Sequence, residues 1–231
     1  MYNSINFESS IKYVGGISLK IENLNKKYKK SILENVTFEL EEKKIYTLLG
    51  RNGVGKTTLL KILAGLVSPN NGKIEKNNKS VLYIPEHTYF LDFLSGYDNL
   101  CLICDVYNIS KNELNKMIER YGIKSFVYEL VVNYSQGMKH QLSLISAFLI
   151  NPDVLLLDEP LTSLDPINIE NFKMYIKEFS SKNKTVVIST HIIPIAYQLS
   201  DEILILKSRM ITNIKNTITE EELSNVIFNK I

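Results

Sequence analysis

Gly50-Arg51-Asn52-Gly53-Val54-Gly55-Lys56-Thr57-Thr58 follows directly on Ile45-Tyr46-Thr47-Leu48-Leu49, a short run that is apolar but for one threonine. Near-continuous apolarity over five residues predicts a strand covered on both faces. Beyond the loop, Leu59, Ile62, Leu63 and Leu66 fall at helical spacing and predict an amphipathic helix. Strand, glycine-rich loop and helix in that order, with Lys56 and Thr57 closing the loop, make the G-x-x-x-x-G-K-[ST] phosphate cradle. The glycines Gly50, Gly53 and Gly55 let backbone N–H groups turn inward around phosphates, and the helix N-terminus adds its partial positive charge. Lys56 is placed as a point charge for the β and γ phosphates, and the Thr57 hydroxyl to ligate Mg²⁺. Asn52 and Thr58 complete the nucleotide-contacting set. ATP and GTP both satisfy this reading, because the loop meets phosphates and not the base.

Working outward, further apolar runs at 81–84, 154–157, 185–188 and 203–206 alternate with helical patterns. Those patterns are Met138, Leu142, Ile145 and Leu149, then Ile169, Phe172, Ile176 and Phe179. The alternation predicts an α/β layer built on a mostly parallel sheet. Ahead of it, Leu19 and Ile21, then Val36, Phe38 and Leu40, alternate with polar residues as in a small antiparallel β lobe. From 87 to 134 the strand signal is missing, while Leu114, Met117, Ile118 and Tyr121 keep helical spacing, which predicts an inserted helical lobe. The chain of 231 residues is expected to form one domain: an N-terminal extension 1–16, a core with β lobe at 17–86 and 135–210, the helical subdomain 87–134 and a tail 211–231.

Charge is nearly balanced, 27 basic against 25 acidic residues, so no global field draws a polyanion and nucleic acid is not an expected partner. No apolar stretch approaches the roughly 18 residues of a spanning helix, nor does the N-terminus read as a secretory signal. A cytoplasmic protein is expected, touching a membrane only through a partner. Cys101 and Cys104 form a C-x-x-C pair with neither a second pair nor a nearby histidine, and read as small apolar side chains on a buried helix face.

The run 154–157 ends at Asp158-Glu159-Pro160. In a chain with a phosphate loop, an acid at the exit of a buried strand is placed to hold the Mg²⁺ shell, here Asp158. The adjacent Glu159 is then the candidate general base for a water attacking the γ-phosphate.

Tyr134-Ser135-Gln136-Gly137-Met138, just before the helix leading to Asp158, resembles the signature sequence of ATP-binding cassette (ABC) transporters, usually written Leu-Ser-Gly-Gly-Gln. With it, residues 17 to 210 resemble the nucleotide-binding subunit of that family, a P-loop NTPase whose inserted helical subdomain carries the signature. The resemblance implies ATP and Mg²⁺, and two cassettes packed head to tail. Ser135 and Gly137 of one would then close over the γ-phosphate held by the other. It also implies that Ser163-Leu164-Asp165 crosses the dimer interface, with Asp165 near nucleotide, and that His191 contacts the γ-phosphate and steadies the water. Tyr28, among Lys26, Lys27, Lys29 and Lys30, lies where an aromatic stacks on adenine, a contact of about 1 to 3 kcal/mol.

Four positions depart from the family pattern, one of them Met138 in place of the signature's glutamine. Glu86, in Ile84-Pro85-Glu86-His87, replaces a glutamine that reaches the metal, Gln136 replaces a glycine, and Gln141 stands where arginine is common. Glutamate at 86 resembles subunits of lantibiotic immunity and peptide-antibiotic exporters, and Met138 resembles the exporter branch with separate permease chains. The implied function is an ATPase on the inner membrane face, powering export by integral permeases as a homodimer or heterodimer. The alternatives are a soluble ABC ATPase not tied to transport and a weakly hydrolysing, nucleotide-gated scaffold.

Overall fold

The computed structural model describes residues 16–87, 89–162, 164–217 and 219–228. Residues 1–15 of the N-terminal extension, Ser163 of the interface loop and residues 229–231 of the tail lie outside the described residues. In chain order the elements are Ile17–Lys27 (β1), Ser31–Glu41 (β2), Ile45–Leu49 (β3), Lys56–Ala64 (α1), Asn71–Glu75 (β4), Val81–Ile84 (β5), Gly96–Tyr107 (α2) and Lys111–Arg120 (α3). After two 3-10 turns at Ile123–Ser125 and Val131–Asn133 come Gln136–Ile150 (α4), Val154–Asp158 (β6), Pro166–Ser181 (α5), Thr185–Thr190 (β7), Ile193–Leu199 (α6), Glu202–Lys207 (β8), Met210–Lys215 (β9) and Glu220–Phe228 (α7).

Six strands form the main sheet in the order β5-β6-β7-β3-β8-β9, parallel except where β9 returns antiparallel on β8. Every residue of β3, β6 and β7 is buried, because alternate side chains serve two different cores. Leu155, Leu157, Val186 and Ile188 pack with α2, α3, α4 and α5 on one face. Val154, Leu156 and Val187 pack on the other with α1 and the antiparallel sheet β2-β1-β4. Truncating one of these leucines to alanine costs about 2 to 5 kcal/mol, since both faces are closed against repacking.

Three expectations change. Run 81–84 is expected to be covered on both faces, yet β5 is the sheet edge and each of its residues is only half-buried. Leu66 is expected on the buried face of α1, but the helix ends at Ala64. Gly65 caps it in a left-handed conformation, and Leu66 is 65% exposed. Two strands, β4 and β9, arise where none is expected, because each is an edge strand with mostly exposed, polar residues. Cys104 is buried and Cys101 half-buried on α2, both as free thiols, and burial pushes the Cys104 thiol up.

Candidate active site

The loop after β3 and the first turn of α1 line a cavity of about 300 Å³ together with side chains from two other strand ends. Asn52, Gly53, Gly55, Lys56, Thr57 and Thr58 come from the loop and helix, Glu86 from the exit of β5 and Glu159 from the exit of β6. Parallel strands place their carboxyl ends along one edge, so residues far apart in sequence converge there. Gly55 has φ +117°, and a Cβ there stands 2.7 Å from Ile32 Cγ2, so the turn into α1 requires glycine. The first turn of α1 carries no acidic residue and no side-chain cap, which leaves its N–H groups available for an anion.

Lys56 is buried, and its Nζ donates to the Gly50 carbonyl at 2.8 Å while standing 3.0 Å from Glu159 Oε1. The latter is an ion-pair contact outside hydrogen-bonding geometry, so Glu159 Oε1 keeps its acceptor capacity in a buried position. The other Glu159 oxygen accepts from His191 Nδ1 at 3.2 Å, across from the end of β7. Glu159 adopts φ +47°, a left-handed conformation that costs a side-chain-bearing residue about 1 to 3 kcal/mol. Its N–H is held there by Ser189 Oγ at 2.9 Å.

Asp158 is 3% exposed and does not line the cavity. Its Oδ1 accepts from Ser189 Oγ at 2.6 Å and its Oδ2 from Tyr83 Oη at 3.0 Å. Burial, then the neighbouring Asp158 charge, pushes the Tyr83 phenol well above its usual value, so it remains a donor. Tyr83 and Ser189 are site residues to which the sequence assigned no role. Ser189 lies directly opposite Asp158 in the β6–β7 register, a pairing visible only once the strands are aligned.

A polyphosphate fits this donor set: one buried ammonium, a free helix N-terminus and a glycine turn that admits no side chain. Thr57 and Glu86 offer hard oxygen donors in the same cavity. Among the described residues no group of three or more His, Cys, Asp or Glu is arranged to hold a metal. Mg²⁺ binds through one or two protein oxygens and takes its remaining ligands from phosphates and water, a demand that the Thr57 hydroxyl and the Glu86 carboxylate fit.

Tyr28, Ser135, Gly137 and Asp165 do not line this cavity. Tyr28 is exposed in the turn between β1 and β2, with Lys26 Nζ 4.7 Å from its ring centre. Ser135 caps α4, its exposed Oγ accepting from Met138 N at 3.2 Å. Asp165 caps α5, and the Asn168 N–H at 2.9 Å holds its carboxyl below the usual range. Gln141 reaches the same cap, donating to Asn168 Oδ1 at 2.7 Å. A Cβ on Gly137 lies 3.6 Å from Leu164 Cδ2, so the signature turn and the interface loop are neighbours within one chain. His140 Nε2 donates to the Glu86 carbonyl at 3.2 Å, and burial lowers its imidazole pKa against that contact.

Residues 33–162 match the family model described as ABC transporter. The chain belongs to the ABC transporter family. Among curated ABC proteins it is 34% identical over 192 residues to the lantibiotic transport ATP-binding protein SrtF of Streptococcus pyogenes, covering 79% of this chain and 84% of that one. It is 33% identical over 199 residues to the bacitracin transport ATP-binding protein BcrA of Enterococcus faecalis, covering 80% of this chain and 65% of that one. A solved ATP-binding subunit of an ABC transporter superposes with a TM-score of 0.81 at 25% identity, over 90% of this chain and 98% of that chain. A dimeric ATP-binding cassette bound to ADP and phosphate, 23% identical, superposes with a TM-score of 0.76 over 87% of this chain and all of that chain, and shows the shared fold. This ABC chain is therefore an ATP-binding subunit on a P-loop α/β fold, and its family implies ATPase activity. No helix among the described residues is long and apolar enough to cross a membrane.

Proposed function

We propose that this ABC subunit hydrolyses ATP to drive an integral membrane permease that exports a cargo of the antimicrobial-peptide class. The observation that carries the reading is the convergence of Lys56, Glu159, Glu86 and Thr57 on one cavity, with His191 behind Glu159. Lys56 and the N-terminus of α1 bind the β and γ phosphates. Glu159 takes the proton of a water attacking the γ-phosphate, and His191 Nδ1 orients its carboxylate. Thr57 and Glu86 would hold Mg²⁺, with Asp158 supporting its shell, and the ion would supply positive charge to offset that of the phosphates. Tyr28 stacks on adenine. Ser135 and Asp165, exposed caps of α4 and α5, act with Gly137 on the nucleotide of a second cassette, an identical copy or a sister chain.

The helical lobe supplies the permease contact. Tyr89, Leu91, Phe93, Leu130 and Val132 are all exposed there, Phe93 to 84%, although the backbone beneath them is held firmly. Buried Asn99 accepts from Leu91 N at 2.8 Å and donates to the Leu91 and Ser95 carbonyls at 3.1 and 2.9 Å. A fixed loop that displays apolar side chains fits a partner surface. The names of the two relatives, which refer to transport of a lantibiotic and of bacitracin, support the cargo class. The protein then works at the cytoplasmic face of the membrane.

The test is purification from detergent-solubilised membranes of the host. An integral membrane protein should co-purify and raise ATPase activity. Recovery without any membrane protein, at a rate indifferent to membranes, overturns the reading.

A further inference from the structure

We infer that Tyr134 is a positioning residue that sets the place of the signature Ser135 from the segment bearing the exposed apolar patch. The inference rests on the proposed roles of Ser135 at a second cassette and of the patch at a permease, and concerns how the two are joined. Residues 92–97 lie antiparallel to 127–132 through four backbone hydrogen bonds: Val132 N to Asp92 O, Val131 N to Leu94 O, Gly96 N to Glu129 O and Tyr97 N to Val127 O, from 2.7 to 3.2 Å. Phe93, Leu130 and Val132 are exposed on this ribbon, and exposed Leu91 immediately precedes it.

Tyr134 is buried beneath the ribbon. Its Oη donates to the Phe126 carbonyl at 2.9 Å, and its ring meets the Phe126 ring edge to face at 5.2 Å. Gly96 lies directly over it. A Cβ on Gly96 overlaps Tyr134 Oη and comes within 3.1 Å of both Tyr134 Cζ and the Val127 carbonyl. Gly96 has no positive φ among the described glycines, so the close approach of the phenol is what this position requires. Ser135 is the next residue in the chain, and it caps α4. A shift of the ribbon therefore reaches the signature cap through one stiff ring and the two hydrogen bonds of Tyr134, from Oη to the Phe126 carbonyl and from its backbone N–H to the Val131 carbonyl at 3.0 Å. Packed contacts of this kind have few alternative arrangements and move together.

The test perturbs the ribbon and reads the signature. In a Glu159→Gln background, dimerisation with Mg-ATP is followed by sedimentation, and nucleotide affinity by fluorescence titration. Gly96→Ala should weaken ATP-dependent dimerisation at least about tenfold while nucleotide affinity stays unchanged. Adding Tyr134→Phe removes the overlapping oxygen and should restore dimerisation to within about threefold of Tyr134→Phe alone. If Gly96→Ala does not fold, Tyr134→Phe alone decides, with an expected loss of at least about threefold in dimerisation and unchanged nucleotide affinity. Parent-like dimerisation by Gly96→Ala and by Tyr134→Phe, a Gly96→Ala defect that Tyr134→Phe leaves in place, or a parallel loss of nucleotide affinity overturns the inference. A parent that binds ATP and stays monomeric overturns instead the proposed role of Ser135, and the inference with it.

Discussion

Replacing Ser189 by alanine separates the hydroxyl that organises both site acids from the acids themselves. Its Oγ donates to Asp158 Oδ1 at 2.6 Å and accepts from Glu159 N at 2.9 Å, in a residue with no exposure to solvent. The bond to a buried carboxylate is worth about 1.5 to 3 kcal/mol and the one from the amide about 0.5 to 1.5 kcal/mol, so Ser189→Ala should destabilise by about 2 to 4 kcal/mol. For a domain of this length that lowers the melting temperature by about 5 to 15 °C. The amide bond also offsets the left-handed backbone of Glu159, whose cost is of similar size. Its loss lets the carboxylate drift from the cavity, and turnover should fall about tenfold, or 1.4 kcal/mol, with ATP affinity retained. Tyr83→Phe is the comparison: it removes a hydroxyl from Asp158 but leaves Glu159 N satisfied, so it should cost stability and much less turnover. Thermal denaturation, nucleotide titration and steady-state phosphate release measure the three quantities. A Ser189→Ala protein that melts within about 1 °C of the parent and hydrolyses ATP at the parental rate refutes the reasoning.

Lys56→Ala should weaken ATP binding by about 2 to 3 kcal/mol, some 30- to 150-fold by equilibrium titration, since it removes the buried cation of the cavity. Tyr28→Ala should cost about 1 to 3 kcal/mol in ATP affinity and equally in ADP affinity, while inorganic triphosphate binds as before. Glu202 answers to acid. Burial raises its carboxyl, but hydrogen bonds from Lys44 and Asn213 outweigh that and hold it below the value of 4.5. The stability it contributes is complete above that value and is lost as pH falls through the lower folded-state pKa. Melting curves from about pH 7 to 3 should show Glu202→Gln less stable near neutrality and with a shallower decline in acid.

What could be read from the residues was whatever is written locally. The phosphate loop is contiguous and its glycines answer to one backbone geometry, so Lys56, Thr57 and their neighbours could be read together, and they line one cavity. Strands β3, β6 and β7 are legible because burial on both faces demands unbroken apolarity. Edge strands meet no such demand, which is why β4 and β9 passed as loop and tail and why β5 looked more buried than it is. Tyr83 and Ser189 escaped for a different reason: a tyrosine within a strand and a serine at a strand end have no local signature. Only the β5–β6–β7 pairing brings their hydroxyls to Asp158. The same holds for Gly96, whose requirement comes from a ring 38 residues further along the chain. The direct approach of Lys56 to Glu159 was likewise invisible in sequence, since it depends on two strand exits meeting at one edge.

Sedimentation of the Glu159→Gln protein with Mg-ATP tests the central claim most directly, because neutralising the acid preserves the nucleotide on which two cassettes are proposed to close. The account predicts that the 26.5 kDa chain doubles its mass with ATP and returns to monomer with ADP. A species that keeps the monomer mass at saturating ATP contradicts it.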